Sequence, residues 1–151
     1  MRTLLIASDH AGFALKERLK DYVARRGIKV KDLGAYSSQR CDYPLSAATL
    51  ARAISTKGHS QGILICKSGI GNSIVANRFP GVRAALCYNV KAALLSRKHN
   101  DSNILVLGAG FVTVALAKKI VAAWLRTPFE GGRHLRRLKQ IEKIEKAIKG
   151  A

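Results

Sequence analysis

The chain is 151 residues long and 48% hydrophobic, enough to bury the core of one domain spanning residues 1–151, and its longest apolar stretches, near 62–66 and 104–107, fall far short of the roughly 20 residues that cross a membrane as a helix. Three cysteines, Cys41, Cys66 and Cys87, are odd in number and scattered, which argues against a disulfide scaffold and against paired zinc-ligand spacing, and fits a reducing cytoplasm. Against 9 Asp and Glu stand 27 Lys and Arg, a formal charge of +18, so anions are the expected partners.

In chain order, residues 3–8 form a short apolar, β-rich run. Because Ser8-Asp9-His10 interrupts it, it reads as a strand and not as the apolar core of an export signal. Residues 12–26 are helical, with Phe13, Leu15, Leu19, Tyr22 and Val23 on one side and Gly27 as the stop. Residues 28–33 alternate apolar and basic side chains as an edge strand does, and a polar loop over 36–44 leads into an Ala-rich helix ending near 56. His59, between Gly58 and Ser60, is expected to be an exposed loop residue. Strands at 61–66, 82–87 and 103–108 then alternate with helices at 71–79, 89–98 and 112–126. A basic amphipathic helix over 133–149 carries Leu135, Leu138, Ile141, Ile144 and Ile148 along one side.

Regular alternation of strand and helix specifies an α/β fold, a parallel sheet covered on both faces with right-handed crossovers. Ligands in such sheets bind beyond the carboxyl ends of the strands. Chemistry-bearing residues gather at strand ends here: Ser8-Asp9-His10 after the first strand, Cys66-Lys67-Ser68-Gly69-Ile70-Gly71-Asn72-Ser73 after the third, and Arg97-Lys98-His99-Asn100-Asp101 shortly before the fifth. Two glycines between a strand and a helix let backbone N–H groups converge on an anion such as a phosphate or an enediolate. The segment lacks both the Lys-Ser/Thr ending of a nucleoside-triphosphate loop and the three-glycine dinucleotide pattern. A cysteine at that loop is placed to act as a thiolate and take a carbon-bound proton, whereas Cys41 and Cys87, with no such loop chemistry, are expected to be inert core residues.

Arg133 and Arg137 fall on one helical face, where two planar guanidinium groups can clamp a phosphate. The basic residues are otherwise spread along the whole chain, with neither a basic arm nor a helix-turn-helix or aromatic-rich sheet pattern, which argues against nucleic acid as the main partner.

Taken in order, Ser8-Asp9-His10-Ala11-Gly12, Asp42-Tyr43-Pro44, Cys66 with Ser68-Gly69-Ile70-Gly71, Ser96-Arg97 with His99-Asn100-Asp101, and Glu130-Gly131-Gly132-Arg133-His134 with Arg137 resemble the ribose-5-phosphate isomerase B and galactose-6-phosphate isomerase family over essentially the whole chain. The resemblance implies a three-layer α/β/α, Rossmann-like fold with a five-stranded parallel sheet of order 2-1-3-5-4. It also implies a homodimer whose sites each draw residues from both subunits, with a tetramer as the larger assembly.

By the same resemblance, Cys66 is the catalytic base and His99 the residue that protonates the ring oxygen. Asp9, His10, Asn100 and Tyr43 contact the substrate, Lys67, Ser68, Gly69, Ile70 and Gly71 form the loop around the developing enediolate, and Arg133 and Arg137 hold the phosphate; neither a metal nor a cofactor is implied. The implied activity is interconversion of ribose 5-phosphate and ribulose 5-phosphate, with a galactose or allose 6-phosphate isomerase as the alternative. A non-catalytic phosphosugar-binding module is weighed against by the retention of Cys66, His99 and both arginines. Two positions depart from the family pattern: Lys67 follows the cysteine where glycine is common, and Gly110 stands where many relatives place an arginine.

Overall fold

Aliphatic runs with period-two alternation and Ala/Leu-rich segments with helical periodicity fold into eleven elements. The computed structural model describes residues 3–57 and 60–150, so His59 lies outside the described residues. The elements are β1 (Thr3–Ser8), α1 (Phe13–Ala24), β2 (Lys29–Asp32), α2 (Tyr43–Lys57), β3 (Gln61–Cys66), α3 (Ile70–Ala76), β4 (Ala84–Leu86), α4 (Val90–Asn100), β5 (Ile104–Gly108), α5 (Val114–Arg126) and α6 (Arg133–Lys149). Among the described residues no helix is long and apolar enough to cross a membrane.

The five strands form one parallel sheet in the order β2-β1-β3-β5-β4, and β2, with its alternating lysines, is an edge. The alternation in β1 sends Leu4 and Ile6 to one face and Leu5 and Ala7 to the other. The first face packs with Leu15, Leu19 and Val23 of α1 and Ile120, Val121 and Trp124 of α5. The second packs with Ala47, Leu50, Ala51 and Ile54 of α2 and Ala76 of α3. The three-layer α/β/α arrangement follows from these two apolar clusters.

Most elements differ from their sequence-based bounds by a residue or two, and two of the differences have a visible cause. The third helix stops at Ala76 and not at 79, because Pro80 disfavours helical backbone at the residue before it, and Phe79–Val82 closes a turn through the Val82 N–H and the Phe79 carbonyl at 3.1 Å. The fourth strand begins only at Ala84. The Arg83 and Ala84 N–H groups are taken by the side-chain carbonyls of Asn103 and Asn77, at 2.7 and 2.9 Å.

Helix α1 also ties down the loop that follows β2. Lys16 is wholly buried; its ammonium donates to Asp32 Oδ1 at 2.7 Å and to the Ala35 carbonyl. Helix α6 lies along one edge of the sheet. Its N-terminal approach is bonded to α4 through the Glu130 N–H and the Lys98 carbonyl, and Glu145 accepts from the Gly81 N–H ahead of β4. Leu138 is buried, whereas Leu135, Ile141, Ile144 and Ile148 are exposed.

Candidate active site

The carboxyl edge of the sheet carries a pocket of about 440 Å³ lined by Asp9, Tyr43, Cys66, Lys67, Ser68, Ile70, Gly71 and Ile74. Cys66, the last residue of β3, is only 4% exposed. The chain turns sharply after it because Gly69 adopts the left-handed conformation (φ 83°), which glycine tolerates at little cost. That turn brings the Gly69 N–H to 3.2 Å from Cys66 Sγ, while the Ile70 N–H bonds Ser68 Oγ at 3.1 Å. A donor from the loop is thus aimed at the sulfur.

The loop is held from three sides. The Ala109 and Gly110 N–H groups donate to the Cys66 and Lys67 carbonyls at 2.8 and 2.9 Å, extending the pairing of β5 with β3 past its end. The Tyr88 hydroxyl donates to the Ser68 carbonyl at 2.8 Å, and its ring stacks on Phe111 at a centroid distance of 5.1 Å. Tyr43, at the start of α2, packs against Gly71, where a Cβ would come within 2.5 Å of its ring.

From β1, buried Asp9 accepts from the Gly12 N–H at 3.0 Å. His10 is fixed by the loop before α2, its Nδ1 lying 3.0 Å from the Cys41 carbonyl oxygen and 3.2 Å from the Cys41 nitrogen. Cys41 is therefore a half-buried loop residue and not the core cysteine the sequence suggests: its backbone works on His10, and the polar loop around it packs no apolar cluster. Cys87 does belong to the core, where burial pushes its thiol up to about 11 despite an opposing hydrogen bond from Ser96.

The remaining sequence-predicted residues stand at the other edge. A helix that follows a strand runs back against it, so α4 ends where the strands begin. Its last residues, His99 and Asn100, lie four and three positions before Asn103, whose carbonyl accepts from the Gly62 N–H near the start of β3. From Gly62 to Cys66 is about 13 Å of strand. The rule that ligands lie beyond carboxyl ends therefore does not place 97–101 with Cys66, because that segment precedes a strand. Arg97 is largely buried, donating to the Thr127 and Ser102 carbonyls and to Asp101, which makes it a brace for the α4 C-terminus.

Arg133 and Arg137, exposed on the first turns of α6, join His99 at this amino edge through His134. The His99 and His134 rings stack at 4.2 Å with an interplanar angle of 12°, and Glu130 lies 3.7 Å from both His134 Nε2 and Lys98 Nζ. Burial holds the His134 imidazole below its ordinary value, with His99, Arg133 and Arg137 acting in the same direction and Glu130 opposing. Donor atoms of His99, Glu130 and His134 lie within 4.8 Å of one another. Near-parallel rings direct their lone pairs side by side and not at one point, and the surrounding cations favour an anion, so the trio does not make a convincing metal cage.

Tyr88, Phe111 and Ile74 are site neighbours that the sequence reading missed. Ile74 has a readable signal, since it repeats Ile70 one turn later and both are exposed; Tyr88 and Phe111 reach the loop only through the tertiary fold. A second cleft of about 410 Å³, between α6 and the β4 side, includes Asn100, Arg83, Leu138 and Glu145 but none of the Cys66 loop.

The E. coli (strain K12) protein ribose-5-phosphate isomerase B is 45% identical over 145 residues, covering 96% of this chain and 97% of that one. The solved structure of Clostridium thermocellum ribose-5-phosphate isomerase B superimposes with a TM-score of 0.94 at 43% identity, covering 97% and 99% of the two chains. That of the Mycoplasma genitalium enzyme with bound ribulose-5-phosphate gives 0.92 at 40% identity, covering 95% and 96%. Residues 4–141 match the model of the Ribose/Galactose Isomerase family, and the chain belongs to that family.

Proposed function

We propose that the chain is an aldose–ketose isomerase that interconverts D-ribose 5-phosphate and D-ribulose 5-phosphate at a site shared by two copies. The observation that carries the reading is Cys66 at the floor of the carboxyl-edge pocket, with the Gly69 N–H aimed at its sulfur and Asp9 beside it. The set at the amino edge, His99, Asn100, Arg133 and Arg137, supplies from a second copy what this pocket lacks. The exposed apolar row of α6, Ile141, Ile144 and Ile148, suits a homodimer contact, and three free cysteines suit a reducing cytoplasm.

In this reading Arg133 and Arg137 of the second copy hold the phosphate bidentately, and Asp9, His10, Tyr43 and Asn100 orient the sugar hydroxyls. His99 delivers a proton to the ring oxygen as the bond from C1 to that oxygen breaks, and the anomeric hydroxyl releases its proton to solvent, from which His99 is reprotonated, leaving the open-chain aldehyde. The Cys66 thiolate then removes the C2 proton; electron density moves to O1, where N–H donors of the 67–71 loop meet the enediolate. The same proton returns at C1 while the O2 proton passes to O1, which leaves the C2 ketone.

The test is conversion of ribose 5-phosphate by wild type and Cys66→Ala, with galactose and allose 6-phosphates in parallel. Pentose turnover lost in the variant is the expected result. Turnover of a hexose phosphate alone would move the chain to the sister activity, and pentose turnover surviving in Cys66→Ala would remove the cysteine from the chemistry.

A further inference from the structure

Lys67 is the only cationic side chain among the residues that line the Cys66 pocket. Among the described residues no carboxylate lies within ion-pair distance of its ammonium. With 27 bases and 9 acids an unpaired lysine is common on this surface, so that fact alone says little. Its position says more.

The Lys67 stem lies across residue 110. A Cβ built on Gly110 would stand 2.9 Å from Lys67 Cε and 3.1 Å from Cδ, so the lysine methylenes fill the volume in which a side chain at 110 would begin. The backbones of the two residues are joined as well, by the Gly110 N–H and the Lys67 carbonyl. A lysine stem laid against backbone has given up part of its rotamer freedom before any ligand arrives, which lowers the entropic cost of using the ammonium. The stem runs beside the extension of β5, one strand over from Cys66, so its ammonium is offset from the sulfur and suited to the end of a ligand remote from the atoms that meet Cys66. The Gly69 N–H already serves the Cys66 sulfur.

We propose that the Lys67 ammonium binds the phosphate group of the substrate from the Cys66 side of the site, and that Gly110 sets this specificity by leaving room for it. The inference rests on the isomerase reading for its substrate, but its phosphate-binding content is tested without turnover. Lys67 thus complements, from one copy, the arginine pair reaching in from the other.

The measurements are the calorimetric Kd for inorganic phosphate, at an ionic strength of about 0.15 M that screens distant surface charge, and KM and kcat for ribose 5-phosphate. The variants are Lys67→Met, Lys67→Arg, Gly110→Ala, the Lys67→Met/Gly110→Ala pair, and Lys31→Met on edge strand β2 as a control for net charge. Lys67→Met is expected to raise both Kd and KM about ten-fold or more, the range for losing a hydrogen bond to a charged group, with kcat changed far less. Lys67→Arg retains most of the affinity, Lys31→Met retains all of it, and Gly110→Ala weakens phosphate binding in the wild-type background but adds nothing to Lys67→Met. An unchanged Kd in Lys67→Met overturns the inference, as does a fall in kcat at constant KM, which would assign the ammonium to the enediolate. Absence of turnover together with Lys67-dependent phosphate binding would instead overturn the isomerase reading and leave the phosphate contact standing.

Discussion

Cys66 ends β3 at the carboxyl edge of the sheet, and His99 closes the last turn of α4 at the amino edge. In the proposed mechanism the base for C2 and the acid for the ring oxygen work within a few ångströms of each other, whereas one chain holds Cys66 and His99 apart by the length of a strand. The shared site proposed above would resolve the separation. Mixing the Cys66→Ala and His99→Asn variants, each inactive alone, is therefore expected to restore activity. In a two-fold dimer the mixed species carries one doubly altered site and one unaltered site, so random reassortment of equal amounts returns about a quarter of the wild-type rate. No recovery, with subunit exchange verified by mass spectrometry, would mean that the two residues serve the same chain.

The Tyr88 hydroxyl holds the Ser68 carbonyl at 2.8 Å, with Phe111 stacked behind the ring. Tyr88→Phe keeps the stack and removes only the hydrogen bond, so the loop loses one of its three restraints. A net loss of about 0.5–1.5 kcal/mol, or roughly 2- to 10-fold, is expected in kcat with little change in KM. Steady-state kinetics with ribose 5-phosphate decide it, and an equal rise in KM would show Tyr88 acting on substrate binding.

Gly108 marks where β5 passes beneath the same loop. A Cβ there would come within 2.4 Å of the Ser68 carbonyl oxygen and 2.7 Å of its carbon, both backbone atoms that no rotamer change can move. Gly108→Ala is expected to cost about 1–3 kcal/mol of stability through overpacking and to depress kcat by displacing Gly69 from the sulfur. A urea midpoint equal to wild type would show that the loop yields without cost.

The sheet was legible in the sequence because Leu4, Leu5, Ile6 and Ala7 alternate faces and each strand meets a helix with a matching apolar side. The Cys66 pocket was legible because strand, glycine loop and helix are neighbours in the chain. What escaped is non-local. The Tyr88 bond to Ser68 joins segments that have no sequence signature of contact, the departures at Lys67 and Gly110 were readable but not that the lysine stem lies over residue 110, and the direction of α4, which sends His99 to the far edge, emerges only when the helix is run back along the sheet. Lys16 escaped for another reason: a buried lysine on α1 interrupts no hydrophobic period, so pattern alone assigns it to solvent.

Burial of Lys16 has a measurable acid limit. Its ammonium meets Asp32 Oδ1 at 2.7 Å, and the other carboxylate oxygen meets Lys20 Nζ at 2.8 Å. Desolvation pushes the Asp32 carboxyl upward, but hydrogen bonds from Lys16, Lys20 and the Gly34 N–H outweigh it and hold the group below its ordinary value of 3.8. A carboxyl depressed in the folded state contributes its stabilisation in full above the unfolded value and loses it as pH falls through the folded value. Wild type should therefore keep this contribution at neutral pH and shed it only below pH 3.8. Asp32→Asn should be less stable at pH 7 by about 3–5 kcal/mol, because it leaves the Lys16 ammonium buried without its counter-charge, and its stability should vary less with pH in the acid range. Lys16→Met should cost less, since Asp32 keeps Lys20 and some access to water. Urea midpoints at pH 7 and at about pH 3 separate these cases. An Asp32→Asn protein as stable as wild type at pH 7 would show that the Ala35 carbonyl alone suffices to hold the buried ammonium.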